Sequence, residues 1–280
     1  MKKGQCIRLK VGLRFMAAAA LMLALPLTQA RAQVNCATVT ASSSTDSDQD
    51  GFTDFQECNG IVTLGTASRS FPPCTATSDR TQCLDPNTKD LFVILVPPTS
   101  TSLIPRDPQT GQPQPLTFVS APQSAGGLGI AVHMLTPDQA GSDRSVTSAS
   151  PQKAVRIAES LDPTGNILGY CNYGTPNNLD RCTVFTQRIK NFVESVYASV
   201  GQTSPAGLID DYIRHTFAHE SGHSLTLTTN YNSSFGGYHY QSGTDVIMEQ
   251  AVTYTVKGGI VTFNISTGFT APDRTGARLK

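Results

Sequence analysis

The sequence predicts an α+β fold, because strand patterns come first in its main part and helical patterns follow. A continuous apolar run at 91–96 ends at Pro97-Pro98, as expected of a buried strand. Two later segments, 184–200 and 205–227, carry apolar residues at helical spacing. The main part of about 190 residues is long enough to bury one sizeable core.

The first 32 residues have the order of a secretory signal peptide. Basic residues precede an apolar run at 15–27, and the small-x-small sequence Ala30-Arg31-Ala32 follows. The apolar run is too short to span a bilayer. We expect cleavage after Ala32 and secretion to the extracellular space, or delivery to the periplasm if the host is bacterial.

The charge of the chain changes once this leader is removed. Six of the 21 basic residues and none of the 21 acidic residues lie in 1–32, so 15 basic residues face 21 acidic ones in the rest. A net charge near −6 favours solubility and argues against a nucleic-acid partner. No later apolar stretch is long enough for an integral membrane segment. We expect a monomer.

Six cysteines remain after Cys6 leaves with the signal peptide. An even number of cysteines in an exported chain predicts three disulfides. No two of these cysteines have the close Cys-x-x-Cys spacing that would favour zinc. The simplest of the fifteen possible connectivities joins nearest neighbours along the chain: Cys36–Cys58, Cys74–Cys83 and Cys171–Cys182.

Residues 33–88 form a small Cys-rich segment that contains a calcium-loop pattern. The segment has little apolar periodicity, so it needs bridges or a metal to hold its shape. Residues 46–57 place oxygen donors at positions 1, 3, 5, 9 and 12 of a twelve-residue loop, with Gly51 at position 6 for the sharp turn. The predicted calcium ligands are Asp46, Asp48, Asp50, Phe52 (through its carbonyl), Asp54 and Glu57.

The calcium loop resembles the solitary EF-hand-like loops of thrombospondin type 3 and dockerin repeats. Residues 38–45, which precede it, have no helical pattern, so a paired EF-hand sensor is not expected. The resemblance implies a structural role, in which Ca²⁺ gathers a segment also tied by Cys36 and Cys58.

Residues 89–280 are predicted to form the catalytic domain. The elements expected in order are a strand at 91–96, a long loop at 99–123, strands at 128–134 and 154–159, a turn-forming loop between Cys171 and Cys182, helices at 184–200 and 205–227, and an irregular tail. Ser204 and Pro205 are the expected cap and first-turn residues of the second helix.

The second helix carries the sequence H-E-S-G-H at 219–223. Two histidines four residues apart share a helical face, so both imidazoles can reach one metal ion. Glu220 lies beside them, where it can take a proton from water. The pattern predicts a catalytic zinc site with His219 and His223 as ligands and Glu220 as the general base.

A catalytic zinc generally has three protein ligands, so a third must be found. His215 is excluded, because a rise of about 12 Å separates it from His223 on a straight helix. His133 lies in a strand pattern, where a histidine is more often structural. His239 follows two glycines, which would let the chain turn back to the metal. The carboxylates of Glu249 and Asp245 are the competing candidates.

The H-E-x-x-H helix, the glycine turn and the third histidine resemble the metzincin metalloproteases, whose pattern is H-E-x-x-H-x-x-G-x-x-H. The chain meets this pattern in two pieces, 219–225 and 236–239, with an apparent ten-residue insertion between them. Residues 245–248 (Asp-Val-Ile-Met) are similar to the Met-turn that underlies the metal in that family, with Met248 as its methionine. Residues 268–274 look like the lead into the last helix of that fold.

The resemblance implies a zincin-like domain, with a twisted sheet, two long helices and the active-site helix carrying H-E-x-x-H. It also implies a zinc endopeptidase that acts on proteins or peptides, with His219, His223 and His239 on zinc. Tyr240 stands where better-known branches often have Asp or Ser, which suggests a divergent group. The alternative is a catalytically inactive secreted calcium-binding or adhesion protein on the same scaffold.

Overall fold

The elements of the protein were located in a computed structural model that describes residues 33–97, 101–149, 152–171, 181–225, 247–248 and 252–277. The strands in these residues are β1 (Ile61–Val62), β2 (Ser70–Phe71), β3 (Asp90–Val96), β4 (Ala131–Leu135), β5 (Val155–Ser160), β6 (Gly169–Cys171), β7 (Arg181–Phe185), β8 (Thr253–Lys257) and β9 (Ile260–Asn264). The α-helices are α1 (Asp54–Asn59), α2 (Thr117–Ser120), α3 (Thr186–Ala198), α4 (Leu208–Ser224) and α5 (Ala271–Gly276).

A five-stranded sheet with the order β4-β3-β5-β7-β6 lies at the centre of the fold. All neighbours are parallel except β6, which runs antiparallel to β7 at one edge. The apolar run of β3 is buried at all but its last residue, as expected of a central strand in a parallel sheet. The α+β class and the three predicted strands are confirmed, although β4 begins three residues later than expected.

Two strands of this sheet, β6 and β7, were missed by sequence analysis, and β7 shortens a predicted helix. Residues 181–185 form β7, and α3 begins only at Thr186. Val184, which was counted in the helix, is a fully buried strand residue. The apolar side chains of a strand and of the helix after it merge into one pattern, because spacing alone does not mark the change.

Helices α3 and α4 pack against the sheet through one apolar core. Ile189 and Val193 of α3 and Phe217 of α4 are fully buried in the same cluster as Ile157 of β5. The predicted start of α4 was wrong, because Gly207, with a φ of 81°, is the residue that leads into it. A left-handed backbone is readily adopted by glycine, so the helix begins after it and not at Pro205.

The segment before β3 shares a second core with the sheet. The ring of Phe92 lies 5.5 Å from that of Phe52 and 5.2 Å from that of Phe71. These side chains are fully buried beside Ile94 and Leu135. The three predicted disulfides are present with the expected partners. The boundary near residue 88 stays a prediction, but packing across it is continuous.

The end of the chain was predicted to be irregular, but residues 253–276 contain two strands and a helix. Strands β8 and β9 form an antiparallel hairpin that turns at Gly258 and Gly259, whose φ angles are 59° and 79°. Positive φ at both central residues is the geometry that favours glycine in tight hairpins. Helix α5 follows, capped by Thr270 and Asp273, where a final helix was expected. Within the described ranges, we find no helix long and apolar enough to cross a membrane.

Candidate metal centres

His219 and His223 lie on the buried face of α4 and converge on one point. Their Nε2 atoms are 3.1 Å apart, and both side chains are buried. Two tetrahedral zinc ligands with bonds of about 2.0–2.1 Å lie about 3.3 Å apart, so the pair has nearly the separation that zinc requires. The helical spacing of four residues produces this convergence, as the sequence predicted.

A hydrogen bond to the segment that contains Met248 fixes the orientation of the His219 ring. Its Nδ1 atom donates a hydrogen bond of 2.8 Å to the carbonyl oxygen of Ile247. A proton on Nδ1 leaves the lone pair of the neutral ring on Nε2, which is the tautomer a metal requires there. Ile247 and Met248 are fully buried in the main core. The role of Met248 as a Met-turn residue stays a prediction.

Glu220 is buried between the edge strand and a disulfide. Its Oε2 atom is 3.2 Å from Sγ of Cys171, which is bonded to Cys182 and therefore has no proton to donate. For the same reason the two sulfurs offer no thiolate to a metal. Burial raises the pKa of the Glu220 carboxyl to about 8. The carboxyl is shielded from bulk water and enclosed by apolar and sulfur contacts.

Gly169, two residues before Cys171 on the same face of β6, also lies against the Glu220 side chain. A Cβ atom placed on Gly169 would lie 2.4 Å from Oε1 of Glu220 and 2.9 Å from its Cδ. The close approach of strand and carboxylate therefore depends on a residue without a side chain. Sequence analysis missed Gly169, because the two residues are 51 positions apart and only the pairing of β6 with β7 brings them together.

The remaining predicted residues of the zinc site lie outside the described residues. They are Gly236, Gly237, Tyr238, His239, Tyr240, Asp245 and Glu249. The choice of His239 over Glu249 or Asp245 as the third ligand therefore stays a prediction.

His215 is a packing residue one turn before His219. Its Nδ1 atom donates a hydrogen bond of 2.8 Å to the carbonyl oxygen of Ser266, and the ring centres of the two histidines are 6.4 Å apart. Burial holds the pKa of His215 below its ordinary value, partly opposed by the Ser266 carbonyl. His215 thus joins α4 to the chain between β9 and α5.

We expect His215→Asn to weaken the dependence of folding stability on pH. With a folded-state pKa below the ordinary value of about 6.5, His215 takes up a proton more readily in the unfolded chain. Stability is therefore lost as pH falls below that value. Asn can still donate to Ser266 but does not titrate. Urea unfolding at pH 7.5 and pH 5.5 measures the effect, and identical pH dependence in both proteins would contradict it.

The calcium-loop pattern forms a sharp turn around Asp46. Its carboxylate accepts hydrogen bonds from the backbone N–H groups of Gln49 (2.6 Å), Asp50 (3.2 Å) and Gly51 (2.9 Å). Gly51 has a φ of 99°, which explains the requirement for glycine at this position. Carboxylate oxygens of Asp46, Asp48 and Asp50 lie within 4.8 Å of one another. The loop thus gathers three predicted ligands.

The other predicted loop ligands differ in their placement. Both oxygens of Asp54 accept hydrogen bonds from Ser47, one from its N–H (2.8 Å) and one from its Oγ (2.9 Å). The side chain of Phe52 is buried in the second core, and its N–H donates to Asp50 Oδ1 at 2.8 Å. Glu57 is fully buried, with one oxygen close to both Asp50 and Asp90.

Asp90, the first residue of β3, joins this acidic cluster although sequence analysis did not select it. Burial, and next the neighbouring carboxylates, raise the pKa values of Asp48, Asp50 and Glu57 to about 9, 7 and 11. Burial also raises the pKa of Asp90. A charged residue at the start of an otherwise apolar strand was the signal available in the sequence.

The described residues thus contain two candidate centres, a nitrogen pair on α4 and a carboxylate cluster between the loop and β3. Nitrogen donors from two imidazoles suit zinc, and a set of carboxylate oxygens suits calcium. Glu220 follows His219 directly on α4, and the N–H of Phe52 donates to Asp50 of the second centre. No protein-family model, curated protein or solved structure matches this chain.

Proposed function

We propose that the protein is an exported zinc endopeptidase of divergent metzincin-like type. The observation that carries the proposal is the convergence of His219 Nε2 and His223 Nε2 at 3.1 Å, on a helix in which the next residue after His219 is the buried Glu220. His219 and His223 would hold the zinc ion, together with His239 from outside the described residues. Three disulfides are compatible with an oxidising compartment outside the cytoplasm.

The residues around the site have distinct tasks in peptide hydrolysis. Zinc supplies Lewis acidity, which polarises the scissile carbonyl and lowers the pKa of water. Glu220 takes the proton from the attacking water and passes it to the leaving amine. The Ile247 carbonyl keeps His219 in the ligating tautomer. Gly169 and the Cys171–Cys182 disulfide hold the Glu220 side chain in place.

The edge strand supports an extended peptide as the substrate. Among the described strands, β6 pairs with β7 alone, so its other edge offers backbone N–H and C=O groups. An extended peptide can add to such an edge through main-chain hydrogen bonds. Because Gly169 contacts Glu220, a peptide bound along β6 would pass close to the general base.

The loop at 46–57 is proposed to bind calcium as a structural ion. Its turn is formed by backbone hydrogen bonds to Asp46, and its carboxylates converge on one region. Oxygen ligands on a tight loop are the set that calcium prefers. The ion would stabilise the segment from which Phe52 enters the second core.

Zinc content and proteolysis, measured together, test the proposed function. We expect the purified wild-type chain to contain one zinc ion by mass spectrometry and to cleave labelled casein. A zinc chelator should stop cleavage, and added zinc should restore it. His239→Ala should lose zinc, whereas Asp245→Asn, Glu249→Gln and the control His215→Asn should retain it.

The outcomes separate the alternatives. Full zinc retention by His239→Ala would remove His239 from the ligand set, and zinc loss in Glu249→Gln or Asp245→Asn would assign the ligand to that carboxylate. A wild-type chain that binds no zinc and cleaves no casein would instead favour the noncatalytic calcium-binding or adhesion protein.

A further inference from the structure

We propose that Asp90, at the start of β3, is a ligand of the cation bound by the loop at 46–57, together with Asp50 and Glu57. The ion would then join the loop to the central sheet. The inference rests on the proposed calcium loop, but it changes the ligand set. It adds a residue that lies 33 positions after the last residue of the pattern.

The positions of the three carboxylates fit a single ion. One oxygen from each of Asp50, Glu57 and Asp90 lies within 4.8 Å of the other two. Calcium–oxygen distances are about 2.3–2.6 Å, so two ligands of one ion are at most about 5 Å apart. Glu57 and Asp90 are fully buried, which places the site inside the protein.

Several oxygens of this cluster have no N–H or hydroxyl donor among the described residues. They are both carboxylate oxygens of Glu57, both of Asp48 and Oδ2 of Asp90. The Asp90 and Glu57 carboxyls are close enough to each other to share a proton. Buried carboxylates without donors or a cation are strongly unfavourable. Lys89, the nearby base, directs its Nζ to the carbonyl oxygens of Asp48 and Gln49. A divalent cation with a preference for oxygen would satisfy these atoms.

The orientation of Asp90 is already set by groups that do not belong to the loop. Its Oδ1 atom lies 2.6 Å from Nε2 of His133 on the neighbouring strand β4. The Nδ1 atom of His133 donates to the carbonyl oxygen of Thr81 at 3.1 Å, which fixes the ring. Oδ2 of Asp90 remains buried without a hydrogen-bond partner.

The loop and the strand are also joined by direct hydrogen bonds. The N–H of Asp90 donates to Asp50 Oδ2 at 2.6 Å. Nε2 of Gln152 donates to the carbonyl oxygens of both Asp50 (2.7 Å) and Asp90 (2.8 Å). These bonds hold the carboxylates together, so little chain entropy is lost when the ion binds.

Asp54 offers a matched comparison. The loop pattern makes it a calcium ligand, but the structure does not place it in the cluster of Asp50, Glu57 and Asp90. Both of its oxygens accept hydrogen bonds from Ser47. We therefore expect Asp54→Asn to bind calcium with nearly wild-type affinity. Asp90→Asn keeps the size of the side chain, and its amide N–H can donate to Nε2 of His133, but it loses the charge and one carboxylate oxygen.

Calcium titration calorimetry on the full mature chain, stripped of metal by chelator, tests the inference. We expect Asp90→Asn and Glu57→Gln each to weaken calcium binding by about tenfold or more, and Asp54→Asn by less than about threefold, since affinity follows ligand charge and number. Equal affinity of Asp90→Asn and wild type would overturn the inference while leaving the calcium loop intact. Absence of calcium binding by the wild type would overturn both.

A second measurement needs no variant, so it remains decisive if Asp90→Asn does not fold. Hydrogen exchange of the wild-type chain is compared with and without calcium. We expect calcium to slow exchange both in peptides that cover 46–57 and in those that cover β3. Protection confined to 46–57, with no change at the start of β3, would overturn the inference.

Discussion

Glu220→Gln is expected to lower kcat for peptide cleavage by about 10²–10⁴-fold while zinc content stays at the wild-type level. The amide has the size of the carboxyl group, so it fits the space between Gly169 and the Cys171–Cys182 disulfide. It cannot accept a proton from water, and this is the step assigned to Glu220. Casein cleavage and zinc analysis of the same preparation measure the two quantities.

A matched control is Glu194→Gln on α3. Glu194 is an exposed carboxylate that pairs with Lys190 at 2.7 Å one helical turn away. The same chemical change there should leave cleavage within the error of the wild type, because exposed pairs contribute little. Undiminished cleavage by Glu220→Gln would exclude Glu220 as the general base.

Gly169→Ala is expected to lower kcat by about 10²-fold, because the added methyl group displaces the general base. The new Cβ would lie 2.4 Å from Oε1 and 3.0 Å from Cγ of Glu220, so the whole side chain must move. The Glu220 side chain is 4% exposed, and its Oε2 atom already lies 3.2 Å from the Cys171 sulfur, which leaves it little room. Overpacking of this kind costs about 1–3 kcal/mol of folding stability.

The control for this substitution is Gly268→Ala. A Cβ atom there would come no closer than 3.7 Å to its neighbours, which is ordinary contact. Zinc content should be unchanged in both variants, since neither substitution removes a proposed ligand and the Gly268 carbonyl that accepts from Ile247 is kept. Wild-type kcat in Gly169→Ala would show that the position of Glu220 against β6 has no part in catalysis.

The sequence predicted those parts of the fold that depend on local spacing. The apolar run of β3, the amphipathic helices and the pairing of neighbouring cysteines are all confirmed. The hairpin of β8 and β9 was missed although Gly258-Gly259 was a usable turn signal. Its strands are largely exposed, so they have no clear apolar alternation.

The parts of the candidate sites that were missed depend on contacts distant in sequence. Asp90 reaches the predicted calcium loop only because β3 begins beside it, and Gly169 reaches Glu220 only because β6 pairs antiparallel to β7. Neither position belongs to a motif. Spacing rules place ligands within one helix or loop, whereas these two residues come from the sheet.

The disulfide beside Glu220 makes the surroundings of this carboxyl depend on the redox conditions of the compartment. Cys171 and Cys182 are paired residues on β6 and β7, and the sulfur of Cys171 contacts the Glu220 carboxylate. Such bonds form outside the cytoplasm and are rare within it. In a reducing compartment the same two residues would be thiols, so a proton donor and a potential metal ligand would stand where the disulfide offers neither. The surroundings of the Glu220 carboxyl would therefore be completed by oxidation and not by folding alone.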